Sequence, residues 1–204
     1  MIEFIPYPFF ACILLLLVAL FFLSRNHRHP VYLVFFTFLG LYFILVLAVT
    51  LFPIPVLPAP QSLAAWYRQL KFTLVSINFN PLHSLQSVNF KTIRLDIILN
   101  MLMTVPIGFG FPFIARMRIR NVIRLSLIGL LIEATQLIIS IWVGPYRSVD
   151  LTDVLTNGAG VWLGFGLFRL IGRFYITNAK PLSQRTGDLA IYLQEIFNIS
   201  GVEK

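Results

Sequence analysis

Between Val31 and Phe52 the chain passes through 22 positions without a charged side chain, and this stretch fixes the solvent for which the fold is built. At about 1.5 Å of rise per residue it forms a helix of about 33 Å, enough to cross the ~30 Å hydrocarbon core of a bilayer. Hydrocarbon offers no hydrogen bonds to a backbone, so a single crossing segment must be an α-helix. A second apolar run, from about Phe4 to Leu23, has Glu3 before it and Arg25 and Arg28 after it. A secretory signal would carry positive charge in front and a small-residue cleavage site behind, so this run is read as a further span. The composition agrees: 58% hydrophobic against 12% charged, with mean hydropathy +0.84.

Pro53, Pro55, Pro58 and Pro60 stop the second span, and the chain stays too polar to cross until about Arg94. Within that stretch Leu63, Trp66, Leu70 and Leu74 recur at helical spacing beside Arg68 and Lys71, which predicts a short interfacial helix. Further spans are predicted over 95–115, 123–142 and 151–175, joining those over 4–23 and 31–52. Leu189, Tyr192, Leu193 and Ile196 then form the apolar side of an amphipathic helix in a tail over 177–204. The expected fold is all-α: a polytopic membrane helical bundle of about five transmembrane helices with short interfacial helices, in one integral membrane domain over 1–204. Oligomeric state is not encoded in any visible pattern.

Sixteen Lys and Arg against eight Asp and Glu give a formal charge of +8. The basic residues are scattered through short loops and gather into no patch, so nucleic acid is not an expected partner; the lipid bilayer is. Eleven of them fall on the side holding the Arg116–Arg124 loop and the tail, and five (Arg68, Lys71, Lys91, Arg94 and Arg147) on the other. The positive-inside rule therefore places the N-terminus outside and the C-terminus in the cytoplasm. A single cysteine, Cys12, excludes an intrachain disulfide.

Against this apolar background the run from Arg147 to Asn157 stands out, because ionisable groups at membrane depth are costly and mark functional sites by default. Asn100 lies about five residues inside the outer end of its span, Gln136 and Glu133 about six and nine, and Asn157 about six, so at helical rise they share one layer in the outer leaflet. Asp150 and Asp153 stand just above it. Residues three and seven apart project within about 60° on a helix, so Asp150, Asp153 and Asn157 share a face, as do Glu133 and Gln136. One outward-open polar pocket follows, with Arg147 as the nearby cation able to pair with a carboxylate or grip a phosphate bidentately.

Structural explanations compete for each member. Asp150 followed at the third helical position by Asp153 has the pattern of a helix N-terminal cap. Asn100, Gln136 and Asn157 suit interhelical hydrogen bonding. Glu133 has no such explanation, since a carboxylate at that depth must be neutralised by a partner or a proton. Gly160 and Gly164 permit close helix approach, more simply within the chain than between copies, and Pro106 with Gly108 interrupts the third span. His27 and His29 in a basic loop are read as solvated, and no metal site is assigned.

Three motifs in order resemble the VanZ-like family of bacterial membrane proteins: Asn100-Met101-Leu102-Met103-Thr104-Val105-Pro106-Ile107-Gly108, then Glu133-Ala134-Thr135-Gln136, then Arg147-x-x-Asp150-x-x-Asp153-Val154-x-x-Asn157-x-x-Gly160. Asn78-Phe79-Asn80-Pro81-Leu82 resembles the family's outer-loop segment, which extends the similar core to about 76–173. The resemblance implies a multi-pass protein of the bacterial cytoplasmic membrane, linked through the family's namesake to resistance against teicoplanin and related lipid-bearing glycopeptides.

Three readings stay open. In the first, the pocket of Asn100, Glu133, Gln136, Arg147, Asp150, Asp153 and Asn157 handles or shields a lipid-linked cell-wall intermediate or the glycopeptide antibiotic. In the second, the protein is a membrane scaffold whose polar layer is structural. In the third, the layer does chemistry: a metal-dependent lipid-phosphate enzyme with a divalent cation at Asp150 and Asp153, or a proton-coupled transporter, with Glu133 and Asp153 as the catalytic candidates. The sequence requires no cofactor and leans away from an enzyme, because no serine, cysteine or histidine stands ready as a nucleophile.

Overall fold

A computed structural model of the protein describes residues 7–26, 28–52, 54, 60, 62–80, 90–144, 147–178 and 187–199. His27, Pro81, Leu82, the side chains of Lys91 and Arg94, most of the proline-rich turn and the end of the tail lie outside them. Helices α1 (Tyr7–Arg25), α2 (Pro30–Leu51), α3 (Leu63–Val75), α4 (Phe90–Gly110), α5 (Ile119–Ser126), α6 (Ile128–Val143), α7 (Leu151–Asn178) and α8 (Asp188–Ile199) follow in order, with a 3-10 turn at Phe111–Phe113 after α4. The only β pairing among the described residues is an isolated parallel bridge between Asn78 and Asp150. Among the described residues, five segments are long and apolar enough to cross a membrane: Pro8–Arg25, Pro30–Leu51, Leu95–Phe113, Ile119–Val143 and Leu151–Asn178. The protein is thus a multi-pass helical membrane protein.

The fourth crossing is made of two helices rather than one. The 16 residues of α6 span only about 24 Å, and α5 supplies the rest after a break at Leu127. Pro106 lies inside α4 without ending it, and the helix runs on to Gly110.

The centre of the bundle is the seam between α4 and α7, where backbone lies against backbone. A Cβ at Gly160 would stand 2.1 Å from Thr104 Oγ1 and 2.2 Å from the Met101 carbonyl oxygen, and one at Gly108 would stand 2.1 Å from the Val161 carbonyl oxygen. Lipid supplies no hydrophobic drive to join helices, so association rests on such close approach and on interhelical hydrogen bonds. The glycine pair is used inside the chain. Across the same seam the Thr104 hydroxyl donates to the backbone carbonyl of Asn157 at 2.7 Å.

At the end of the bundle away from Arg147, α8 closes the core instead of lying apart. Tyr192 and Phe197 are buried, the Tyr192 hydroxyl donates to the Phe113 carbonyl, and the Phe197 ring lies 5.2 Å from that of Phe168. Burial pushes the Tyr192 hydroxyl up to about 12, so it stays a donor at neutral pH. His29 is not merely solvated: its ring stacks on Tyr192 with centroids 5.6 Å apart, and its Nδ1 accepts the Val31 N–H at the start of α2.

Candidate functional site

The site is assembled where α7 begins. Asp150 immediately precedes the helix, and its Oδ1 accepts the Thr152 N–H at 2.7 Å, satisfying one of the free donors of the first turn. The capping explanation therefore holds for Asp150. Its other oxygen, Oδ2, accepts from Asn78 Nδ2 at 2.9 Å. Asn78 also pairs its backbone with this segment, donating to the Val149 carbonyl at 2.9 Å and accepting from Leu151 N–H at 3.0 Å.

In a capping box the residue at the third helical position would reach back to the Asp150 N–H. Here that donor goes to Glu133 Oε2 of α6, at 3.1 Å, and Asp153 turns away to accept from Asn100 Nδ2 of α4 at 2.6 Å. Glu133 is only 3% exposed, so this bond offsets part of its desolvation. The two acidic positions of the run are thus tied to two different helices, and the start of α7 cannot move without moving both.

Gln136 and Arg147 serve the end of α2. The last carbonyls of a helix lack intrahelical donors. Gln136 Nε2 donates to the Thr50 carbonyl at 2.9 Å, and Arg147 Nη2 donates to the Val49 carbonyl at 3.1 Å. A cation at that end also suits the helix dipole. The backbone of Arg147 is held by Ser140, whose Oγ faces both its N–H and its carbonyl at 3.5 Å. Gly144, at φ 113° and ψ 175°, turns the chain out of α6 towards this position, in a region open essentially to glycine alone.

Between these residues lie two adjoining chambers. The larger, ≈ 690 Å³, is walled by Leu45, Val46 and Val49 of α2 and by Leu99, Leu102 and Met103 of α4, and its polar part is Asp96, Asn100, Ser148, Asp150, Thr152 and Asp153. The smaller, ≈ 420 Å³, holds Asn100, Glu133, Gln136, Arg147, Asp153 and Asn157 with Thr50 and Ser148. Val49, Asn100, Met103, Ser148 and Asp153 border both. Every residue singled out from the sequence lines one chamber or the other. Leu45, Val49, Leu99 and Leu102 are more than half exposed, so the apolar wall of the larger chamber is continuous with the exposed surface of α2 and α4.

Asn157 differs from its neighbours. Its side chain is 2% exposed, and its Oδ1 has no hydrogen-bond partner. Among the described residues no group of three or more His, Cys, Asp or Glu gathers as a metal site would require.

Sequence reasoning missed Asn78 as a member of the site, and also Asp96, Tyr42 and Ser148. Asp96 carried a usable signal, because it precedes Asn100 by one helical turn and so shares its face. Tyr42 carried none: its hydroxyl reaches the Met103 carbonyl at 2.9 Å across a sequence distance that no pattern spans.

A family model described as VanZ/LLP1 matches residues 38–172. No curated protein matches the chain, and no solved structure does. The matched span starts within α2 and ends within α7, which takes in every side chain that borders the two chambers and leaves out α1 and α8. With about two thirds of its residues covered, and with the polar layer inside that span, the chain belongs to the VanZ/LLP1 family.

Proposed function

We propose that this protein sits in the bacterial cytoplasmic membrane, with its chambers towards the outer leaflet, and takes the head group of an amphiphile. The amphiphile is a lipid-linked envelope component or a lipid-bearing glycopeptide such as teicoplanin, which the protein handles or shields. The observation that carries the reading is the continuity of the larger chamber: lipid-facing apolar side chains of α2 and α4 lead directly to a floor of carboxyl and amide groups. An acyl chain entering from the bilayer would lie along the wall while its head group reached Asn100 and Asp153.

The experiment is expression of wild type and Glu133→Gln, Asp150→Asn and Asp153→Asn variants in a susceptible Gram-positive host, with teicoplanin susceptibility and membrane abundance measured together. The proposal expects reduced susceptibility with wild type and its loss in variants that still insert. An unchanged susceptibility despite abundant wild-type protein removes the resistance reading.

The scaffold reading keeps support from the bonds Gln136 to Thr50, Asn100 to Asp153 and Thr104 to Asn157, which tie α2, α4, α6 and α7 together. It predicts that the same variants lose abundance before they lose phenotype. The metal-dependent enzyme reading leaves Asp150 one remaining lone pair on each oxygen, since Oδ1 accepts from the Thr152 N–H and Oδ2 from Asn78 Nδ2. The transporter reading rests on Glu133 alone.

A further inference from the structure

At the opposite end of the bundle a small cavity, ≈ 230 Å³, lies between the start of α2 and α8 and is lined by Arg28, His29, Tyr32, Ile191, Tyr192 and Glu195. All six fall outside residues 38–172, so the cavity is separate from the family core and from the two chambers. Tyr32 is in the first turn of a crossing helix, and its ring stacks on that of Phe36, one turn further along, with centroids 6.1 Å apart. The cavity therefore stands at the depth of lipid head groups, where tyrosine rings gather, with an aromatic face leading towards the hydrocarbon.

Its donors and acceptors are sorted by side. The Arg28 guanidinium lies over the Tyr32 ring, 5.6 Å from its centroid, a contact made by the flat face of the group, and the in-plane N–H fork stays available to an oxyanion. His29 Nδ1 accepts the Val31 N–H, so the neutral ring carries its proton on Nε2 and adds a second donor. On α8 the Tyr192 hydroxyl spends its proton on the Phe113 carbonyl, and Glu195 supplies a carboxylate. Arg28 and Glu195 are both exposed and border the same cavity, yet neither closes an ion pair among the described residues. Two opposite charges held apart across a small cavity, with donors on one side and acceptors on the other, match a ligand that carries an oxyanion and a cation together.

We infer that this cavity holds the phosphoethanolamine head group of a bilayer lipid, with the phosphate towards Arg28 and His29 and the primary ammonium towards Glu195. The aromatic rings decide the kind of cation. Tyr32 already has Arg28 and Phe36 stacked on it, and Tyr192 has His29 and Phe35, so recognition of the cation falls to the Glu195 carboxylate. A primary ammonium offers that carboxylate three N–H donors, and a choline offers none.

The test loads the full chain into nanodiscs holding phosphatidylethanolamine, phosphatidylcholine and phosphatidylglycerol in equal amounts with the same acyl chains, extracts it in mild detergent and counts the retained lipids by native mass spectrometry. Phosphatidylethanolamine is expected to exceed each of the others about tenfold, the worth of one charge-assisted hydrogen bond. Glu195→Gln is expected to bring it down to the level of phosphatidylcholine, and Arg28→Gln to lower its retention as well. Both residues are exposed, so the delipidated variants should melt with wild type, which separates a lost ligand from a lost fold. Equal retention of the three lipids, or an excess of phosphatidylethanolamine that survives both substitutions, would overturn the assignment. Displacement of the lipid by free phosphoethanolamine at equal concentration would overturn the bilayer as its source.

Discussion

A single methyl group at Gly164 tests whether the α4–α7 seam sets the geometry of the site. An added Cβ would lie 2.0 Å from the Val105 carbonyl oxygen and 2.7 Å from the Phe109 nitrogen. Ordinary contact begins at 3.4 Å, so the helices must part by 3.4 − 2.0 = 1.4 Å along that contact. Both neighbours are backbone and no side chain can swing aside. Overpacking of this kind costs about 1–3 kcal/mol, and the fixed backbone places Gly164→Ala at the upper end.

Gly166, on the same helix, has nothing within 4 Å of an added Cβ. There the substitution stabilises by about 0.5–1 kcal/mol, because a helical glycine loses more backbone entropy on folding than alanine. At about 2–4 °C per kcal/mol for a chain of this size, thermal unfolding of purified protein in detergent should show Gly164→Ala melting about 4–10 °C below wild type and Gly166→Ala slightly above it. Parting the seam also lengthens the Asn100–Asp153 bond, so Gly164→Ala should weaken any cavity ligand and Gly166→Ala should not. Equal melting temperatures for the two variants would refute the seam as described.

Gly144→Ala should cost about 1–3 kcal/mol from backbone strain alone, and its signature is a lower melting temperature with no change in helix content by circular dichroism. Glu133→Gln retains an oxygen for the Asp150 N–H and should fold within about 1 kcal/mol of wild type, whereas Glu133→Leu strands that N–H and should lose about 1–3 kcal/mol; chemical unfolding in micelles compares them. A reporter fused after Lys204 should be active only in the cytoplasm, and an externally active fusion would overturn the orientation proposed from the loop charges.

Much of this was legible because a bilayer is a simple solvent. The five crossings announce themselves as apolar runs, and polar residues within them stand out because each is costly at depth. Asn100, Glu133, Gln136 and Asn157 were placed in one layer in that way, with Asp150 and Asp153 just above it, from the span ends, the loop charges and helical rise. What the sequence could not disclose was which donor meets which acceptor. Gln136 and Arg147 border the smaller chamber, yet both also direct an N–H to the end of α2, a use visible only once α2 is placed beside α6. Asn78 lies 72 positions from its partner Asp150, and no periodicity links them. The break at Leu127 was hidden for a different reason: the apolar pattern continues through it, and an interruption that keeps the same hydropathy leaves no trace in composition. Phe197 was likewise missed as an anchor, since a helix in a polar tail resembles a surface element until the ring it packs against is known.

The claim that the α2–α4 cavity receives one kind of amphiphile is tested most directly by photo-crosslinking in the native membrane. A photoreactive residue replaces either Met103, which borders both chambers, or Leu170, which is 65% exposed on α7. Mass spectrometry of the adducts should show one amphiphile class enriched at position 103 and bulk lipid at position 170. Adducts at both positions in the proportions of the surrounding membrane would contradict the account.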